Sequence, residues 1–250
     1  MKNIITFMIT LTIVVGIATS VQAKRGGDGQ LNLLYWQAPS TMNPNLSGGT
    51  KELEASSVVL EPLARYDEKG NMLPWLAEEI PTVANGGVSK DLTSITWKIK
   101  KGIKWSDGSA FTADDVVFTY DYCIHPDTGC SHTNYYTGIS SVKALDRHTV
   151  KIVFNVAKPF PYSAFVGYNT PILQKAQFDG CQGAKAQECT KQNFYPIGTG
   201  PFKVVDFKAN DVIVFEANPN YRDPNKPAFS KLVFKGGGDA TSAARAVLET

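Results

Sequence analysis

The stretch from Leu92 to Lys100 constrains the fold most. Ile95, Trp97 and Ile99 alternate with Thr96, Lys98 and Lys100. A period of two places the apolar residues on one face of a β-strand and the polar ones on the other, so this strand must sit half-buried in a sheet. Asp107-Gly108 then marks a tight turn. At Thr112-Ala113-Asp114-Asp115 a hydroxyl residue is followed three positions later by an acid, a variant of the capping box, and a helix is expected from there to about Cys123. Asp114/Asp115 and Glu78/Glu79 read as solvated helix faces rather than catalytic dyads, because adjacent helical positions point about 100° apart.

Further strands are expected at Leu31 to Trp36 (short and buried), Val150 to Asn155, Pro201 to Lys208, Val212 to Ala217 and Lys231 to Lys235. Ala209-Asn210-Asp211 supplies the turn between the third and fourth strands of this series. Helices are expected from Lys51 to Leu63, where Pro62 limits the end, and from Leu73 to Ile80. Tyr66 to Asn71 carries hairpin chemistry. His148 is expected to open a strand in a structural role. From Asp239 a last helix begins with an apolar stripe of Ala240, Ala243, Ala244, Val247 and Leu248, and the absence of a stop signal suggests a chain cut short. Strands in short groups, without a regular βαβ series, make this a mixed α/β (α+β) chain.

Residues 1–23 read as a signal peptide. Lys2 precedes an apolar run of about 15 residues, short of the ~20 needed to cross a bilayer, and Val21-Gln22-Ala23 offers small residues at a cleavage site after Ala23. The first cysteine is Cys123, so no lipid anchor is expected at the cleavage point. A periplasmic destination suits the four cysteines, which fall into two close pairs, Cys123/Cys130 and Cys181/Cys189. Of the three possible connectivities, two local disulfides are favoured. The competing reading is zinc held by Cys123, His125, Cys130 and His132; the oxidising compartment and a spacing unlike common zinc fingers weigh against it.

Lys plus Arg number 25 against 23 Asp plus Glu, a balance that removes the electrostatic footprint of a nucleic-acid binder. No G-x-S-x-G, H-E-x-x-H or Walker motif is present, so no enzyme is indicated, and no cofactor or metal is expected. Gly198-Thr199-Gly200-Pro201 resembles a phosphate loop, yet Pro201 deletes an N–H where one would be needed. There remain Trp36-Gln37, at the end of the first strand, and Ser47-Gly48-Gly49-Thr50, a turn before a helix that can offer N–H groups to a ligand. On the residues alone, ordinary turn chemistry is the favoured explanation of the latter.

Together these motifs resemble the extracytoplasmic solute-binding proteins of ATP-driven transporters, in the class that binds peptides and nickel. The stretch W-K-I-K-K-G-I-K-W-S-D-G at Trp97–Gly108 followed by F-T-A-D-D-V-V-F at Phe111–Phe118 carries the resemblance, with Pro196–Phe202, Asn218–Tyr221, Asn43-Pro44 and Glu61-Pro62-Leu63 in the same order. Arg222 departs from the tryptophan that the family often has after the tyrosine. The resemblance implies a two-lobed protein closing on its ligand, of which this chain would hold the first lobe: residues 24–58 and 174–250 as its two segments, 59–173 as an inserted domain, and the second lobe absent. It further implies a monomer that captures short oligopeptides and delivers them to a membrane permease. A nickel chelate, haem, opine or oligosaccharide ligand, or a non-binding remnant, are the alternatives. The implied ligand contacts are Gly48, Gly49 and Thr50, with Trp36 and Gln37 nearby. Gly198 to Gly200 would belong to the core of the lobe.

Overall fold

The computed structural model describes residues 24–236 together with Thr241 and Arg245. The segment read as a signal peptide and most of the helix expected from Asp239 lie outside the described residues.

Two sheets organise the described residues. The first is mixed and takes its strands from the two ends of the chain: β1 (Gln30–Tyr35), β7 (Phe202–Lys208), β8 (Val212–Ala217) and β9 (Lys231–Gly236), in the order β1-β9-β8-β7. β1 runs parallel to β9, with Gln30 opposite Lys231 and Tyr35 opposite Gly236; the other pairs are antiparallel. The second sheet is antiparallel, in the order β4-β6-β5, from β4 (Ser94–Lys98), β5 (Ile139–Asp146) and β6 (Thr149–Phe154). Ile95, Trp97 and Ile99 are fully buried while Lys98 is exposed, as the alternation requires. A short ribbon joins β2 (Ala64–Tyr66) to β3 (Met72–Pro74), and its turn is the one expected at Tyr66 to Asn71.

Helix α1 (Thr50–Ser56) stands before the ribbon, and α2 (Ala113–Ile124) packs on β5 and β6. Thr112 and Asp115 close the capping box of α2. Short helices α3 (Lys175–Phe178) and α4 (Thr190–Phe194) follow. Cys123 is bonded to Cys130 and Cys181 to Cys189, so the zinc reading has no thiolate to offer. The two disulfide loops lie against each other: Gly183 N–H donates to Thr128 Oγ1 at 2.9 Å, and the His125 ring covers Gly183.

Four local expectations need correction. β1 is a strand but not a buried one, because among the described residues it pairs only with β9; Leu33 and Leu34 are exposed. α1 stops at Ser56 rather than Leu63. The carbonyls of Val58 and Val59 instead accept Phe202 N–H (3.1 Å) and Gly200 N–H (2.8 Å), tying the segment after α1 to the start of β7. A Cβ on Gly198 or Gly200 would collide with those same carbonyls, so this glycine pair is packing chemistry. Residues 73–80 are extended rather than helical. Trp75 and Ala77 donate to Leu63 O, and Glu78 N–H reaches Lys98 O, so backbone partners on both sides override the helical pattern. Asp115, finally, is buried. Its carboxylate accepts the N–H groups of Thr112 and Lys175, each at 2.9 Å, and burial pushes its pKa up against those bonds.

Candidate functional site

At the C-terminal end of the parallel pair β1/β9 the chain leaves β1 through Trp36 and Gln37. Ligands of open sheets that contain parallel strands gather at such ends. Trp36 is 50% exposed, with its ring 5.9 Å from that of Tyr35, and Gln37 is exposed as well. Gly48 and Thr50 are exposed at the start of α1, and Gly49 is partly covered.

Side chains of the first turn of α1 bring these two stretches together. Lys51 Nζ donates to Ala38 O at 3.2 Å, and the Glu52 carboxylate accepts both the N–H and the hydroxyl of Ser40 at 2.9 Å. Glu52 is buried, and among the described residues its second oxygen has no hydrogen-bond partner. A Cβ on Gly49 would meet that carboxylate, so a larger residue there would require the Glu52 side chain to shift. The N–H of Gly49 is already taken by Ser47 Oγ at 3.2 Å. The turn therefore offers a ligand less free backbone than its composition suggests, and at seven residues α1 contributes little dipole.

The sequence concealed what lies on the outward side of α1. Thr50, Glu54 and Ser57 follow the i, i+4, i+7 spacing of one helical face, and that face is open. Its far end opens on a cavity of about 640 Å³, walled by Glu54 and Ser57 and by residues from β2, from Tyr135 and from the segment 160–169. This volume is in the range of small-ligand sites, ~300–1,000 Å³. Its residues come from separate parts of the chain, so no motif announced it. The run of aromatics Phe160, Tyr162, Phe165 and Tyr168 was the available signal. A second cavity, also about 640 Å³, lies between Lys100, Lys101 and Arg222 and is broadly open to solvent.

No group of three or more His, Cys, Asp or Glu side chains among the described residues could hold a metal ion. No described helix is long and apolar enough to cross a membrane.

The model of the bacterial extracellular solute-binding proteins, family 5 (middle region), matches residues 71–250. The chain belongs to this solute-binding family 5. Among relatives, the family 5 chain is 32% identical over 247 residues to the dipeptide-binding protein of Escherichia coli, covering 90% of this chain and 43% of the relative. Among solved structures it is similar to the oligopeptide-binding protein AppA of Bacillus subtilis, in complex with a nonapeptide. That match has 28% identity and a TM-score of 0.77 over 90% of this chain and 43% of that one. NikA of Brucella suis in complex with Fe(III)-EDTA matches at 25% identity with a TM-score of 0.70, over 89% and 42% of the two chains. The family 5 chain thus spans less than half the length of these relatives. Its fold is the mixed α/β fold of such binding proteins.

Proposed function

We propose that this protein captures short peptides outside the cytoplasm and hands them to the membrane permease of an ATP-driven transporter. The observation that carries the reading is the match of 90% of the chain to a structure holding a nonapeptide, with 28% identity. The dipeptide-binding relative, at 32% identity, points the same way. Residues 1–23 serve as a signal peptide cleaved after Ala23, and the mature protein acts in the periplasm as a monomer, without turnover of its ligand. Residues 24–58 and 174–250 form the first lobe and 59–173 an inserted domain; the separate sheets built from the two ranges support this division.

In this reading Trp36, Gln37, Gly48, Gly49 and Thr50 form one wall of the ligand cleft. Main-chain hydrogen bonds hold an extended peptide whatever its side chains, and closure of the protein around it is what the permease reads. Calorimetry of the natural protein with peptides of two to nine residues is the test. Heats of binding with peptides support the assignment, and their absence across the series, with binding of a metal chelate instead, discards it.

A further inference from the structure

The cavity beside α1 is lined by aromatic rings out of proportion to its size. Tyr66, Tyr135, Phe160, Tyr162 and Tyr168 all line it, together with Arg65. Three of these rings stay in water: Tyr66 is 47% exposed, Phe160 60% and Tyr168 47%. Leaving so much aromatic surface unburied around one concavity is costly unless something covers it in use.

The wall is also prepared. Tyr135 is held by Asn169, whose amide donates to its hydroxyl at 2.9 Å. Tyr162 donates to Pro81 O at 2.6 Å and stands edge-on to Phe160, with ring centroids 5.1 Å apart at 74°. Ser163 Oγ is occupied by Lys158 Nζ at 2.9 Å. Arg65 is stacked on Trp75 at 4.6 Å and bonded to Ser57 O at 2.9 Å. With these polar atoms engaged inside the protein, the wall presents ring faces and edges and a guanidinium plane, with the Glu54 side chain and the hydroxyls of Tyr66 and Tyr168 at its margin. Such a lining suits an aromatic guest, which meets rings edge to face and a cation over its π-face.

We propose that this cavity receives an aromatic side chain of the bound peptide and so makes the protein selective for peptides containing Phe, Tyr or Trp. The proposal rests on the peptide-binding reading above. Its geometry follows from α1: Thr50 and Ser57, on the open face, are separated by about 10 Å along the helix axis at ~1.5 Å per residue. An extended peptide advances ~3.3 Å per residue, so a peptide held at Gly48–Thr50 reaches the cavity about three residues on.

The test titrates the natural protein with penta-alanine, with penta-alanine carrying one Phe at each position in turn, and with the same series carrying Lys. Burying one Phe ring predicts ~10- to 100-fold tighter binding at one position of the Phe series and no gain in the Lys series. Phe160→Ala and Tyr168→Ala, both at exposed positions, should each cut the Phe advantage several-fold and leave penta-alanine affinity unchanged, with unaltered thermal unfolding. Binding of all series with equal affinity overturns the aromatic pocket and leaves the peptide reading standing. Binding of none overturns both.

Discussion

Arg222 grips Glu61 with both arms of its guanidinium, Nη1 to Oε2 at 2.6 Å and Nη2 to Oε1 at 3.1 Å, across 161 positions of sequence. The Glu61 side chain is wholly buried, and it also accepts Trp75 Nε1 at 2.6 Å and Thr199 Oγ1 at 2.8 Å. The Arg222 guanidinium lies over the rings of Trp75 and Tyr221. One carboxylate therefore ties the start of the ribbon to the glycine turn before β7 and to the loop after β8. Removing one partner of such a pair leaves a buried charge uncompensated, so Arg222→Met should cost ~3–5 kcal/mol. The double variant Glu61→Gln/Arg222→Met should cost clearly less than the two single losses added. Urea unfolding of the four proteins measures this coupling, and simple additivity would contradict it.

The disulfide Cys123–Cys130 closes a loop whose chain-entropy contribution is ~2.5 kcal/mol. Cys123→Ala/Cys130→Ala should lower stability by about that amount. The loop also contributes Thr128 Oγ1 as acceptor to Gly183 N–H in the second disulfide loop, and immediately after it Ser131 N–H donates to Asn45 O at 2.8 Å. Loss of both disulfides should therefore differ from the sum of the separate losses. Denaturation of the three variants under oxidising conditions checks it.

His132 is buried, and burial pushes its imidazole below its ordinary 6.5, outweighing the backbone groups of Ser47 and Pro44, which pull upward. Between the lowered folded value and 6.5 the unfolded chain holds more protons than the folded one. Stability contributed here is complete above the unfolded value and is lost as pH falls through the folded one. Other groups titrate over the same range, so the decisive comparison is with His132→Gln. That variant should lose less stability than the parent between about pH 7.5 and pH 5. Equal losses in urea titrations at both pH values would remove His132 as the source.

Trp36→Ala should change stability by no more than ~0.5 kcal/mol, since the ring is half in water and packs mainly on Tyr35. Peptide affinity should nonetheless fall about tenfold, the effect of losing an aromatic anchor. Unchanged affinity for every peptide would take Trp36 out of the cleft wall.

Much of the central sheet was legible because its signal is local. The alternation at Ile95, Trp97 and Ile99 needs no knowledge of neighbours, and the Thr112/Asp115 cap is complete within four residues. β5 escaped notice because Ser140 and Ser141 interrupt its pattern and most of its outer half is exposed. Residues 73–80 misled for the opposite reason: a plausible helical pattern lost to backbone partners at Leu63 and Lys98, which are invisible in a linear reading. The same holds for the site. Trp36 and the glycine turn stand out in the chain, whereas the cavity beside α1 is assembled from residues between Glu54 and Asn169. Arg222 looked like a minor departure until its partner, Glu61, was placed beside it.

The pairing of β1 with β9 joins residues about 200 positions apart. On a ribosome that adds ~5–20 residues per second, roughly 10–40 s separate the synthesis of the two strands. During that interval the first strand, with Leu31, Leu33 and Leu34, has no edge to join. Whatever carries the nascent chain must therefore keep this segment from pairing elsewhere, and the sheet that presents Trp36 can close only as one of the last events of folding.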